Sequence, residues 1–271
     1  NIREMNALAH VVRCFEDDNI THVDGEINST RDAEVINLEL IFADLETLYK
    51  RKDRIEKKLR SGDKELASEF RLIENCLKTL ESGDFINIAN FSSKEDIKII
   101  KSFQLLTAKP IFFIANISEA DSTQENLIAL KEYAKKMNQE VIEVQIKLEE
   151  EIASLDEQDK KDFLELEGIE EPALNKIIKK GYEILGLDTF FTAGPNELRA
   201  WTLKRGSLAP QAAGRIHTDF ERGFIKAEVI SFEDYISFGG EAGSKENGKL
   251  RLEGKEYIFK DGDIAHFKFN V

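Results

Sequence analysis

PIFFIANISE, residues 110–119, decides how the chain folds. A proline opens it, five apolar residues follow without alternation, and an Asn-x-x-Glu tetrad closes it. A short unbroken apolar run rich in aromatic and β-branched residues is consistent with a strand covered on both faces, as in a parallel sheet. Upstream, Glu95 to Leu106 reads as a helix that Lys109-Pro110 ends. Downstream, Leu127 to Met137 reads as a helix and EVIEVQI (Glu140 to Ile146) as another strand. Near the start, ALAHVVRCF (Ala7 to Phe15) reads as a buried strand after a short helix tail at Ile2 to Asn6. Strands alternating with helices predict a parallel α/β sheet.

Between the first two strands lies the clearest periodicity of the chain. After the polar stretch Asp17 to Asp32, which reads as a loop, apolar residues recur at Leu38, Ile41, Leu45, Leu48, Ile55 and Leu59, with Lys52 at one polar seam position. A second run follows at Leu66, Phe70, Ile73, Leu77 and Leu80, and Ser61-Gly62-Asp63 separates the two. Steps of three and four on both sides of a tight turn predict an antiparallel coiled-coil hairpin inserted in the sheet domain at about 33–82. The narrow seam predicts that the two helices bury mainly each other; the alternative is an ordinary helical pair packed on the globular body. Glu149 to Leu185 reads as two or three helical pieces.

From Thr189 the pattern changes to short β-like runs: Phe190 to Thr192, Ala200 to Leu203, Ala227 to Ile230, Tyr257 to Phe259 and Ile264 to Phe269. Lys260-Asp261-Gly262-Asp263 is a turn signal before the last of them, and Gly239 to Lys245 reads as a surface turn. This predicts a separate small α+β domain.

Of 271 residues, 41% are hydrophobic, enough for two cores, and no apolar run reaches the roughly 18 residues of a membrane span. The net charge of −14 is uneven: residues 187–271 hold 13 acidic and 12 basic side chains, leaving 39 acidic and 26 basic in the first 186. An acidic body argues against broad, nonspecific nucleic-acid binding. Cys14 and Cys76 sit in apolar segments and read as buried thiols, and the two cysteines and four histidines have no zinc-ligand spacing.

The tetrad Asn116-Ile117-Ser118-Glu119 stands where Ras-like GTPases place Asn-Lys-x-Asp, after a strand of the sheet; taken alone it is a weak signal, and its Asn and Glu read first as caps of the next loop. The opening NIREMNALAHVVRCFED, the hairpin, FIANISE, the stretch APQAAGRIHTDFERGFI (Ala209 to Ile225) and the closing KDGDIAHFKFNV together resemble the YchF, or Obg-like ATPase, family over essentially the whole chain. The resemblance implies part of a Ras-like parallel-sheet G domain over 1–165 with the inserted hairpin. A helical connector at 166–185 and a C-terminal ubiquitin-like β-grasp (TGS) domain at 186–269 would follow.

It also implies a cytoplasmic nucleoside triphosphatase that prefers ATP to GTP, works with Mg2+, and associates with the ribosome or rRNA, without a membrane partner. Asn116 would brace the base loop, the Ile117 backbone would meet the adenine edge, and Ser118 and Glu119 complete the motif. Glutamate in place of aspartate shifts the carboxylate by one methylene and spoils its fit to guanine's donors. Gln145-Ile146-Lys147 departs from the small Ser-Ala start expected on the other side of the base. No G-x-x-x-x-G-K-[ST] phosphate loop occurs in these residues, so the chain is expected to lack an upstream segment and to be inactive alone, with Mg2+ ligands outside it. His22, in the loop after the first strand, is the candidate for orienting the attacking water, or else a solvated histidine. Lys204, Arg205 and Arg215, near Trp201, form a candidate RNA-facing patch or a solvated charged edge. The alternative to an enzyme is an adaptor that binds ribosome or protein through the coiled coil and the β-grasp domain.

Overall fold

A computed structural model describes residues 2–17, 26–60, 66–118, 122–194 and 197–270. The chain divides into two units, Asn1–Ile178 and Lys179–Val271.

In the first unit, β1 (Leu8–Arg13), β2 (Ile111–Asn116) and β3 (Val141–Val144) form a parallel sheet in the order β1-β2-β3. Val11 lies opposite Ile114, and Phe113 opposite Val141. The central strand is buried from Ile111 through Ala115, which is why its apolar run does not alternate. The helices are α1 (Ser29–Arg60), α2 (Ala67–Glu81), α3 (Lys94–Ser102), α4 (Ser122–Lys136), α5 (Ile146–Ser154), α6 (Glu157–Leu166) and α7 (Ala173–Leu185), within which the division falls. One face of the sheet, with Val12, Cys14, Phe113 and Ala115, packs on Ala33 of α1 and on Leu127, Leu130 and Ala134 of α4. Side-chain caps define several helix starts: Ser93 accepts from the Asp96 amide before α3, and Asp156 from the amides of Gln158 and Asp159 before α6.

The hairpin is present as α1 and α2, and α1, at 32 residues, is about 48 Å long at 1.5 Å per residue. Ile41, Leu48 and Ile55, seven residues apart, meet Leu72, Ile73, Cys76, Leu77 and Leu80 in one buried cluster. Lys52 keeps its polar seam place by pairing with Glu74 (3.1 Å) and lying over the Phe70 ring. Two expectations need correction. Leu38 is not in the seam but 47% exposed, because this part of α1 turns Ala33 and Asn37 toward the sheet and α4 instead. Nor do the helices bury mainly each other, for Ile86, Ile100, Phe103 and Leu105 belong to the same cluster, so the hairpin root is part of the body's core.

In the second unit, β4 (Leu187–Ala193), β5 (Leu198–Lys204), β6 (Phe224–Ile230), β7 (Arg251–Glu253) and β8 (Ile264–Phe269) are ordered β5-β4-β8-β6-β7. The first and last strands lie side by side and parallel, the β-grasp arrangement, while β4–β5, β6–β8 and β6–β7 are antiparallel. Among α8 (Ala209–Ile216), α9 (Thr218–Arg222), α10 (Phe232–Ser237) and α11 (Glu241–Glu246), α8 supplies the core helix. Its Ala209, Ala212 and Ala213 are fully buried against Phe190, Phe224, Phe259 and Phe267, small residues that let a helix sit close to a sheet of aromatics. Phe190 meets Phe259 and Phe267 edge-on at 5.2 and 5.8 Å. Glycine is required at 223, where a Cβ would lie 2.1 Å from the Asn270 carbonyl oxygen.

Two local readings change here. Tyr257 to Phe259 forms only a single bridge, Leu208 to Ile258, and β6 takes Arg251–Glu253 as its second partner instead. Gly239 to Lys245 is not simply a surface turn: Glu241–Glu246 is helical, and Ser244 is fully buried with its hydroxyl donating to the Asp234 carbonyl at 3.3 Å.

The shared core at the root predicts how far the hairpin can be shortened. Replacing 56–70 by a short glycine linker should leave the first unit cooperatively folded, with Tm a few degrees lower. Replacing 44–74 removes Leu48, Leu72 and Ile73, each fully buried. Truncations of that kind cost about 2–5 kcal/mol each, against a total stability of about 5–15 kcal/mol. Calorimetry should show no cooperative transition of that unit; a preserved transition would show that the root is dispensable.

Candidate nucleotide-base site

The carboxyl ends of parallel strands are where open α/β sheets bind ligands, because successive loops part there. Three segments converge at this edge: Cys14–Asp17 after β1, Asn116–Ser118 at the end of β2, and Gln145–Lys147, where β3 passes into the first turn of α5. Asn116 joins all three. Its backbone carbonyl accepts from the Cys14 amide (2.9 Å), and its side-chain Oδ1 accepts from the Ile146 amide (3.4 Å) at the start of α5. The next residue, Ile117, donates its amide to the Val144 carbonyl at 2.9 Å. The asparagine is therefore committed to holding the loops together, which leaves the following residues to face whatever enters.

The β1 exit is shaped by Arg13. Its Nε donates to the Phe15 carbonyl (2.9 Å), its Nη2 donates to the Asp17 carbonyl (3.2 Å), and the guanidinium lies 4.9 Å from the centre of the Phe15 ring. Asp17 in turn faces Lys147 at 3.7 Å, closing the rim between the first and third segments. Ile146 is 43% exposed on that rim, where smaller residues had been expected. Ile117 and Ser118 are half-buried beside it. Glu119 and His22 lie outside the described residues.

Neither cysteine of the first unit is available as a nucleophile. Burial, reinforced by the nearby Asp32 and Glu143 charges, pushes the Cys14 thiol up to about 12, and burial likewise pushes Cys76 up to about 11, so both stay protonated. His10 is held below its ordinary value by burial, its ring 5.2 Å from that of Phe113. Among the described residues, no group of three or more His, Cys, Asp or Glu side chains is placed to hold a metal ion, and no helix is long and apolar enough to cross a membrane.

In the second unit, the three basic residues singled out from the sequence gather at one end of β5. Lys204 is exposed at the strand's end, Arg205 pairs with Asp188 at 3.1 Å, and Arg215 of α8 donates to the Thr202 carbonyl at 2.8 Å. Arg199, not among them, lies with its guanidinium 4.2 Å from the Trp201 ring centre, while the indole donates to Thr192. Its signal was the spacing: residues two apart on a strand share a face.

Over its full length the chain is 49% identical to the ribosome-binding ATPase YchF of Bacillus subtilis (strain 168) and 48% identical to that of Escherichia coli O157:H7, covering 75% of each. The chain belongs to the YchF family. Residues 187–270 match the family YchF-GTPase_C, described as a protein of unknown function (DUF933). The solved structure of the Schizosaccharomyces pombe YchF GTPase superposes on 98% of this chain and 73% of its own, with TM-score 0.83 and 33% identity. The partial G domain and the β-grasp domain are thus the fold of the YchF family.

Replacing Asn116 by alanine tests its bracing role directly. Losing one side-chain hydrogen bond costs about 1 kcal/mol, or about fivefold in a local opening equilibrium. Native-state hydrogen exchange at the Ile146 amide should accelerate by about that factor while global stability changes little. An unchanged rate would show that α5 starts where it does without Asn116.

Proposed function

We propose that this chain is the larger part of a cytosolic, ribosome-associated nucleoside triphosphatase that prefers ATP to GTP and acts as a translation- or stress-linked switch. The observation that carries this is Asn116, whose side chain and backbone tie together the three loops at the carboxyl edge of the sheet. Full-length similarity to proteins named ribosome-binding ATPases supports it. In this reading Asn116 braces the base loop, the Ile117 backbone meets the adenine edge, and Ser118 and Glu119 complete the wall. Glu119 disfavours guanine, because its longer side chain misplaces the carboxylate that guanine's two donors need. His22 orients the water that attacks the terminal phosphate. Mg2+ enters with the nucleotide, neutralising phosphate charge. These residues contain no G-x-x-x-x-G-K-[ST] sequence, so hydrolysis is proposed for the chain joined to a phosphate-binding segment and not for the chain alone.

The exposed Lys204, Arg205 and Arg215 are proposed to face RNA of the ribosome, and the hairpin a protein partner. A local basic edge suits this, since phosphate attraction depends on nearby cations and not on the charge of the whole chain.

Joining the chain behind the corresponding upstream segment of the Bacillus subtilis relative allows direct tests. By calorimetry the joined protein should bind ATP at least as tightly as GTP; a tenfold preference for GTP, about 1.4 kcal/mol, would overturn the reading. His22→Ala should lower kcat with little change in nucleotide affinity, as for an interaction made only in the transition state; an unchanged kcat removes His22 from the mechanism.

Ribosome association has its own test. Lys204→Ala, Arg205→Ala and Arg215→Ala combined should weaken co-sedimentation at least tenfold and flatten its salt dependence, because each lost phosphate contact releases fewer counterions. The parent's salt dependence in the triple variant would place the RNA contact elsewhere.

A further inference from the structure

Asp44 lies midway along α1 and is fully buried, yet its carboxylate takes donors from two separate parts of the first unit. Oδ1 accepts from Arg3 Nη1 (2.7 Å) and the Leu106 amide (3.0 Å), and Oδ2 accepts from the amide and hydroxyl of Thr107, both at 2.8 Å. Arg3 does more than pair with it: Nη2 donates to the Ala43 carbonyl (2.9 Å) and Nη1 to the Gln104 carbonyl (3.1 Å). Lys109 ties the other side of the same turn, donating to the carbonyls of Arg3 (2.8 Å) and Met5.

The position of this knot is informative. Before Asp44, α1 packs on the sheet and α4 through Ala33 and Asn37; beyond it, Leu48 and Ile55 face α2 and the root cluster. The Ile2–Glu4 turn runs into β1, and the 104–107 turn runs into β2. Asp44 thus joins the hairpin to the starts of the two strands whose far ends meet at Asn116. The apolar attraction that holds the root cluster together is non-directional, whereas hydrogen bonds to a buried carboxylate fix an angle. Buried ion pairs add little net stability over apolar packing; registering one element against another is their best-attested use.

One member of the knot is built to let go. Arg3 belongs to a three-residue 3-10 turn and keeps 24% of its side chain exposed, whereas Leu106 and Thr107 are buried. It also holds the carbonyl of Gln104, whose φ of +54° is left-handed and rarely adopted by residues with a side chain. Withdrawing Arg3 would release that turn to relax.

We propose that the Arg3–Asp44 ion pair is a clasp that sets the direction in which the hairpin leaves the sheet, and that displacing the Ile2–Glu4 turn opens it and lets the distal hairpin swing as one arm. The clasp links the movement of a short segment before β1 to the position of an arm that continues about 24 Å beyond Asp44 to the end of α1. This holds whatever nucleotide or partner the protein uses.

Nitroxide labels on Arg54→Cys of the hairpin and Glu132→Cys of α4, both exposed, report the arm's position by pulsed electron resonance, since Cys14 and Cys76 are buried. With the clasp intact the distance distribution should be single and narrow. Arg3→Met, which keeps the stem and removes every donor, should broaden or shift it while helix content by circular dichroism stays constant. Thr107→Val, which removes one bond and leaves the ion pair, should keep the parent distribution. If Arg3→Met does not unfold cooperatively, Arg3→Gln is read by the same criterion. A parent-like distribution in the Arg3 variant, with or without a drop in Tm, would make the pair a simple brace and overturn the proposal.

Discussion

Strand β2 is bonded along both edges and covered on both faces, and the first unit is arranged around that constraint. Its amide and carbonyl groups are satisfied by β1 on one side and β3 on the other, and Ile111 to Ala115 are buried without exception. A strand so placed admits no polar side chain without a partner, because an unpaired buried polar group costs more than a typical hydrogen bond returns. The first polar residue, Asn116, therefore falls where the cover ends. Its position at the mouth of three loops follows from where the apolar run stops. The helices follow too: α1 and α4 must cover one face, which fixes the inward side of α1 for its first turns and leaves the rest of that helix to pair with α2.

Both units hold a buried carboxylate, and both pair it with hydrogen-bond donors and an arginine. Asp44 takes four donors at the hairpin root. In the β-grasp unit, Asp263 accepts from the Tyr257 hydroxyl (2.7 Å) and the Lys260 amide (3.0 Å), while Arg251 lies 3.7 Å away. Burial and the bond to Asp263 together push the Tyr257 hydroxyl up to about 12, so it remains a donor at any physiological pH. Each carboxylate stands where distant segments must meet at a set angle: the hairpin on the sheet, and the last strand beside the first. Apolar packing supplies the larger part of the energy in such places, and the paired charge supplies the geometry.

Most of the architecture was legible because its signals are local. An unbroken apolar run marked β2 and a mostly apolar, β-branched run marked β1, seven-residue spacing marked the hairpin, and Asp-Gly before the last run marked the turn into β8. What failed did so where tertiary pairing outweighed local pattern. Tyr257 to Phe259 has strand-like residues, but its role is to bury Phe259 in the aromatic core, and the less apolar Arg251–Glu253 pairs with β6. Leu38 has the right spacing for the seam but lies before the point where α1 leaves the sheet. At the candidate site, Asn116 was legible from its tetrad. The Arg13 clamp and the Asp17–Lys147 rim were not, since neither has a motif.

By itself the sequence determined the two units, the parallel sheet, the inserted hairpin and four of the five strands of the second unit, because periodicity and turn chemistry act within a few residues of the chain. Only the tertiary structure decided that Asp44 faces inward. In sequence it is one more acidic residue on a helix rich in them, and its donors lie 41, 62 and 63 positions away. A contact made across such separations leaves no trace in local pattern; it becomes visible when the folded backbone brings the partners together, and burial then makes the carboxylate's geometry matter.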